Sequence, residues 1–360
     1  MKMATRQTRF GVFRQLFLLT GDPILSHVSS RLYTLYSCSA ILCVVVTSLT
    51  MTLDPLVNLN DIRRCTESAR VVLPMFICLW IHVTRLKKQQ LLRLLDLTEA
   101  FSWEDLPMRG MAAYIPMIRK YSWPGVLGIM CSHALHQVVR LSGHERPLVY
   151  NAWFPFDATR SPVFELVYLV QTVATIWYTI TLTAFIALYA TLVAIACTQV
   201  QKLAAAALEQ EFELDKWVRA HQRVKEFLRT LQDVYNLVLL GPFLLISVGM
   251  CVNTFSILVG DAMDALQAAT LIVALVCQLY VYCWFGNELT EETAQLRDAV
   301  WSSNWVGTDV QKQKCLVLVL AAAEEFTLVA GGVYPVSRHT LMQILNQTYS
   351  FFMFLLNFMD

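Results

Sequence analysis

Two stretches of this sequence set polar side chains at helical intervals. Gln343, Asn346, Gln347, Ser350 and Asn357 recur along one side of a helix written over 338–360. Tyr168, Thr172 and Thr175 stand at i, i+4 and i+7, with Tyr178 three residues further, so four hydroxyls share a face. His133 and His136, at i and i+3, have the spacing of a metal pair, but no third ligand accompanies them and no metal is expected. His221 stands alone in a charged helical stretch and reads as structural. Asn346-Gln-Thr348 fits the glycosylation pattern but sits inside a stretch of membrane character. The chain has no glycine-rich phosphate loop, nucleophile elbow or HExxH pair, which argues against an enzyme and against a cofactor.

What positions these groups is a bilayer. Between Arg338 and Asp360 lie 21 uncharged residues, enough for a helix to cross a hydrocarbon core of about 30 Å. Polar groups facing lipid cost several kcal/mol each unless paired, so the polar side of this helix meets either neighbouring helices or water at a subunit junction. Over 360 residues the composition is 56% apolar and 15% charged, that of a membrane protein with several spans. The net charge of +1 provides no basic field for nucleic acid. Lys2, Arg6, Arg9 and Arg14 open the chain, but residues 16–19 are too short for a signal-peptide core, so the first span serves as its own insertion signal. Most of the ten cysteines fall in apolar runs, and none forms a CxxC pair, so neither a disulfide framework nor a zinc site is expected.

Charge-free windows give six spans, 32–53, 71–84, 121–139, 166–201, 234–260 and 265–287, and the stretch 338–360, uncharged between its end residues, gives the seventh. The second is short, and flanking Arg70 and Arg85 are expected to snorkel and extend its reach. The window 315–323 is too short to cross and predicts a cytoplasmic or re-entrant helix. With the amino terminus inside, 22 Lys and Arg fall on the cytoplasmic side against five outside, a positive-inside asymmetry. The carboxyl terminus then lies outside. Residues 86–106 and 199–235 are amphipathic and predict spans prolonged into packed cytoplasmic helices.

The expected fold is therefore an all-α membrane protein with seven transmembrane helices, a cytoplasmic amino terminus, a helical cytoplasmic anchor region and a split last helix. It divides into an amino-terminal segment (1–31), helices 1–4 with a binding pocket (32–198), an anchor helix (199–232) and helices 5–6 (233–287). The second part of the anchor, with the start of helix 7 (288–337), and the last helix (338–360) complete it.

Four segments carry a family resemblance. The closing AGGVYPVSRHTLMQILNQTYSFFMFLLNF, with Tyr349-Ser350 near its end, resembles the carboxyl-terminal signature of insect odorant receptors. YCWFGNELTEETAQLRDAVWSSNW (282–305) resembles that family's sixth-span exit, with Cys283, Gly286, Glu288 and Trp305 in place. WFPFDATRSPVFELVYLVQT resembles its second external loop, and RAHQRVKEFL (219–228) its cytoplasmic segment with one histidine. The likeness covers most of 140–360, and the first third matches mainly in topology.

The resemblance implies a subunit of a ligand-gated, non-selective cation channel in the plasma membrane of sensory dendrites, paired with an obligate co-receptor in a heterotetramer. No long insertion separates the fourth and fifth spans, which marks an odour-tuning subunit. The ligand implied is a small volatile odorant. Its pocket is expected among Met75, Ile77, His133, His136, Gln137, Tyr168, Thr172, Thr175 and Tyr178. The family's apolar gate falls on Phe352 and Leu356, with Asn357 a mouth residue; such a neck gates by dewetting. Phe352 and Leu356 lie more than a quarter-turn from the polar stripe at 100° per residue, so both cannot point squarely at one axis. Rival readings are a gustatory-type channel of the related family, a G-protein-coupled receptor (whose orientation would be reversed) and a transporter (which would need internal repeats and mid-membrane charges).

Overall fold

The computed structural model describes residues 10–22, 30–99, 101, 110–141, 147–208, 214–303, 305, 307, 309–322 and 325–359. It is an almost wholly helical bundle. In chain order the helices are α1 (Gly11–Leu19), α2 (Arg31–Val57), α3 (Ile62–Ile81), α4 (Lys88–Glu99), α5 (Tyr114–Leu141), α6 (Val163–Ala207), α7 (Leu214–Val259), α8 (Ala262–Trp301), α9 (Val310–Ala322) and α10 (Arg338–Met359). Among the described residues, α2, α6, α7 and α8 are long and apolar enough to cross a membrane. Helices α3, α5 and α10, of 20, 28 and 22 residues, have spanning length but a more polar make-up.

Helix α6 is the axis of the bundle, packed against α2, α3, α5, α7 and α8. From Ala184 to Thr198 its sequence is almost wholly apolar or small, and a helix without a polar face is buried on nearly every side. Ala184, Ala187, Ala190, Ala194 and Ala196 let its neighbours approach closely, and close packing holds helices together where lipid removes the hydrophobic drive. Larger side chains then fill the contacts. The rings of Tyr189, Tyr235 and Tyr282 meet edge to face at centroid distances of 5.2 and 5.4 Å, and the Tyr189 hydroxyl donates to the Tyr282 carbonyl at 3.0 Å.

Helices α7 and α8 run unbroken through what the charge pattern divides into spans and anchor segments. The first part of the amphipathic stretch 86–106 forms α4, which buries Leu91, Leu94 and Leu95 and packs on α7; residues 100 and 102–106 lie outside the described residues. His221 stacks on Trp217 one turn earlier, with centroids 5.1 Å apart. The short window 315–323 lies mostly within α9, which rests Leu316 and Val319 against α8 while Val317 and Leu318 stand exposed.

Two expectations change. Helix α3 begins at Ile62, well before its uncharged window, because Asp61 caps it by accepting from the Arg64 N–H, and Cys65 is helical. Arg70 does not snorkel: it is 4% exposed, bonded to the Ser256 hydroxyl, the Asp264 carbonyl and the Gln267 amide. Partners on α7 and α8 satisfy this charge inside the bundle, so it has no need to reach water.

Before α10 the chain turns in a short hairpin, β1 (Val329–Ala330) paired with β2 (Tyr334–Pro335). Gly331 and Gly332 at its tip have φ of +63° and +70°, the left-handed region that favours glycine. Helix α7 holds this hairpin. The Gln232 amide accepts from the Val329 N–H at 2.9 Å and donates to its carbonyl at 2.8 Å, while Asn236 accepts from the N–H groups of Gly331 and Gly332.

Candidate functional site

The segment 147–162 folds down between α5 and α6, and it gathers part of the expected pocket. Gln171 of α6 fixes Tyr150 by both backbone groups, accepting from its N–H at 3.1 Å and donating to its carbonyl at 3.2 Å. The Tyr150 hydroxyl lies 3.0 Å from that of Thr175, one turn along α6. Trp153 donates its N–H to the Thr50 carbonyl, tying the segment to α2. These bonds satisfy backbone groups that would otherwise be stranded at the bundle end.

Around Tyr150 a cluster forms, separate from the main core: Met51, Val72, Met75, Val149 and Ala152, with Phe154 and Tyr168 against it. Gln137 of α5 donates to the Val149 carbonyl at 3.4 Å. The structure thus brings Met75, Gln137, Tyr168 and Thr175 around one segment. Thr172 is half-buried and donates to the Tyr168 carbonyl within its own helix; Tyr178 and His133 are also half-buried. Ile77 packs into the main core instead, because two residues of helix turn it about 200° away from Met75. The side chain of His136 lies outside the described residues.

Beside this apolar cluster is a polar cavity of about 190 Å³, lined by Met51, Glu67, Ser68, Arg70, Val71, Tyr150, Asn151, Asp264 and Gln267. Its charged lining residues, Glu67, Arg70 and Asp264, belong to an ion-pair network that extends to Arg63 and Asp261 on the surface. Arg63 reaches Asp261 at 2.6 Å, Asp264 at 2.8 Å and Glu67 at 3.3 Å, and Arg70 stands 3.8 Å from Asp264. Asp264 also completes the capping box that starts α8. Buried Asp54 is satisfied separately by Arg64 and Ser68. The sequence signal for this network was the charges themselves: Arg63, Glu67 and Arg70 recur at three- and four-residue spacing on α3.

The last helix has two different sides. Thr340, Leu341 and Ile344 are buried against α7 and α8, and Arg338 pairs with Glu288 and with Glu291 of α8. Gln343, Asn346, Gln347, Ser350 and Asn357 are exposed, whereas Phe352 and Leu356 are half-buried. Among the described residues no group of three His, Cys, Asp or Glu side chains is placed to hold a metal ion.

A family model described as 7tm Odorant receptor matches residues 65–349. Odorant receptor 10 of Aedes albopictus is 24% identical over 58% of this chain and 59% of its own length. Odorant receptor Or2 of Anopheles gambiae is 22% identical over 58% of this chain and 60% of its own. The matched region thus spans about three-fifths of these relatives. The olfactory receptor OR5 of Machilis hrabei, solved in complex with eugenol, superposes with a TM-score of 0.78 over 99% of both chains at 14% identity.

Proposed function

The chain belongs to the 7tm odorant receptor family, and on that premise we propose that it is the odour-tuning subunit of a ligand-gated, non-selective cation channel. In this reading α2, α3, α5, α6, α7, α8 and α10 are the seven spans, the amino terminus is cytoplasmic and the carboxyl terminus external. Parts of α4, α7, α8 and α9 form the cytoplasmic anchor. The partner is the odorant co-receptor, in a heterotetramer at the plasma membrane of a sensory dendrite.

A small volatile enters the cluster around Tyr150, where an aromatic and thioether wall with a few hydroxyls suits a mostly apolar ligand. His133, Thr172 and Tyr178 complete its wall in this reading. The final helix lines the conduction path, closed at Phe352 and Leu356 until the neck widens and wets, with Asn357 at its mouth. One observation carries the proposal beyond the family match: the polar side of α10 is left uncovered by its own chain, while Arg338 and the hairpin fix where that helix starts.

The test is electrical. The chain is expressed alone and with the co-receptor, volatiles are applied with G-protein signalling blocked, and current is recorded. Odour-evoked current confined to the pair is expected; a response that needs G protein and carries no direct current would refute the reading.

A further inference from the structure

We propose that the polar cavity beside Tyr150 takes the ammonium group of a small primary amine, with its carbon skeleton lying toward Met51, Val71 and the Met75–Tyr168 cluster. The inference rests on the receptor reading above for what binding causes, though not for whether binding occurs.

Charge balance sets the class of ligand. Three carboxylates, Glu67, Asp261 and Asp264, share two guanidinium groups, Arg63 and Arg70. The third nearby arginine, Arg64, is committed to Asp54. Among the described residues the network therefore carries one negative charge in excess. Arg70 cannot serve an incoming anion without releasing Ser256, Asp264 or Gln267, and a carboxylate would meet Glu67 and Asp264 at close range. A cation meets the opposite situation, since an unbalanced carboxylate in a partly dehydrated wall favours a positive partner.

Glu67 is the wall residue best placed to receive it. One of its oxygens accepts from Asn151 at 2.8 Å, and the other has only a 3.3 Å contact with the Arg63 Nε. At about 190 Å³ the cavity is small, and so is the guest it admits. Apolar Met51, Val71 and Tyr150 form the side that continues into the Met75 cluster, which seats a short hydrocarbon chain.

The test uses purified full-length protein and three probes on one six-carbon skeleton: the primary amine, the alcohol and the carboxylic acid, read as thermal stabilisation near neutral pH. The amine is expected to stabilise at concentrations at least tenfold lower than the alcohol, and the acid not to stabilise. Glu67→Gln should raise the amine concentration needed about tenfold and leave the alcohol unchanged. An acid that stabilises as well as the amine, or an amine response untouched by Glu67→Gln, overturns the proposal. If Glu67→Gln does not fold, the ranking of the three probes on the unaltered protein decides alone. Amine binding without odour-evoked current from the co-receptor pair would remove the receptor reading and keep the site. Current evoked by neutral volatiles, with no amine binding, would do the reverse.

Discussion

Gln171 holds Tyr150 by both of its backbone polar groups, accepting from the N–H at 3.1 Å and donating to the carbonyl at 3.2 Å, so one side chain of α6 sets the position of the segment that covers the candidate pocket. Its neighbour Thr175 meets the hydroxyl of the same tyrosine. Gln171→Leu keeps the bulk and removes the partner of two buried backbone groups, at a cost of about 1–3 kcal/mol each. Odour sensitivity of the co-receptor pair should fall at least tenfold with surface delivery retained. An unchanged dose–response curve would show that Tyr150 does not bear on the ligand.

Arg70 is buried among acceptors from two other helices. Arg70→Met removes the charge and leaves Gln267 and the Asp264 carbonyl facing an apolar side chain. Asp264 keeps Arg63 at 2.8 Å, so the loss should fall near the lower end for a broken buried pair, about 3 kcal/mol. Thermal unfolding in detergent measures it, and a variant as stable as the parent would contradict the network described here.

Gly286 lies where a Cβ would come within 2.4 Å of the Val336 carbonyl oxygen. That carbonyl belongs to the backbone just after the hairpin, so the neighbour cannot swing aside as a long side chain would. Gly286→Ala should push the hairpin and the start of α10 off α8, at a cost of roughly 1–3 kcal/mol. Reduced odour-evoked current with lower melting temperature is expected; parental behaviour in both would mean the contact is slack.

The long apolar helices α2, α6, α7 and α8 were legible because lipid imposes long charge-free runs, and Gly331-Gly332 and Tyr334-Pro335 signal a break before the last helix, though not the hairpin that forms there. The start of α3 was not, since Arg63, Arg64 and Arg70 end the uncharged window, and what makes them tolerable is supplied by Asp54, Ser256 and Asp264 from distant segments. The two glutamine clamps, Gln171 on Tyr150 and Gln232 on Val329, are equally non-local: a lone Gln in an apolar run looks the same whether it grips a loop or a neighbouring helix. Periodicity did group Tyr168 with Thr175, and Met75 joins them, but helical geometry separates Ile77 from Met75.

His221 is stacked on Trp217, and burial, with Lys225 near it, holds its imidazole below the ordinary value of 6.5. Protonation is thus harder in the folded chain than in the unfolded one. The stabilisation is fully present above about pH 6.5 and is lost as the pH falls below it toward the depressed value. Comparing melting temperatures at pH 7.5 and 5.5, the parent should lose more than His221→Phe. An equal loss would assign the acid sensitivity to other groups.

The account as a whole turns on whether ions pass along α10. Cysteine is placed singly at Phe352 and at Leu356 in this subunit, the subunit is paired with the co-receptor, and a charged, membrane-impermeant thiol reagent is applied while odour-evoked current is recorded. The account predicts an irreversible change in current at one or both positions, faster with odour present and absent from the parent with its native cysteines. Current that stays unchanged at both, with modification confirmed by labelling, would place the conduction path elsewhere.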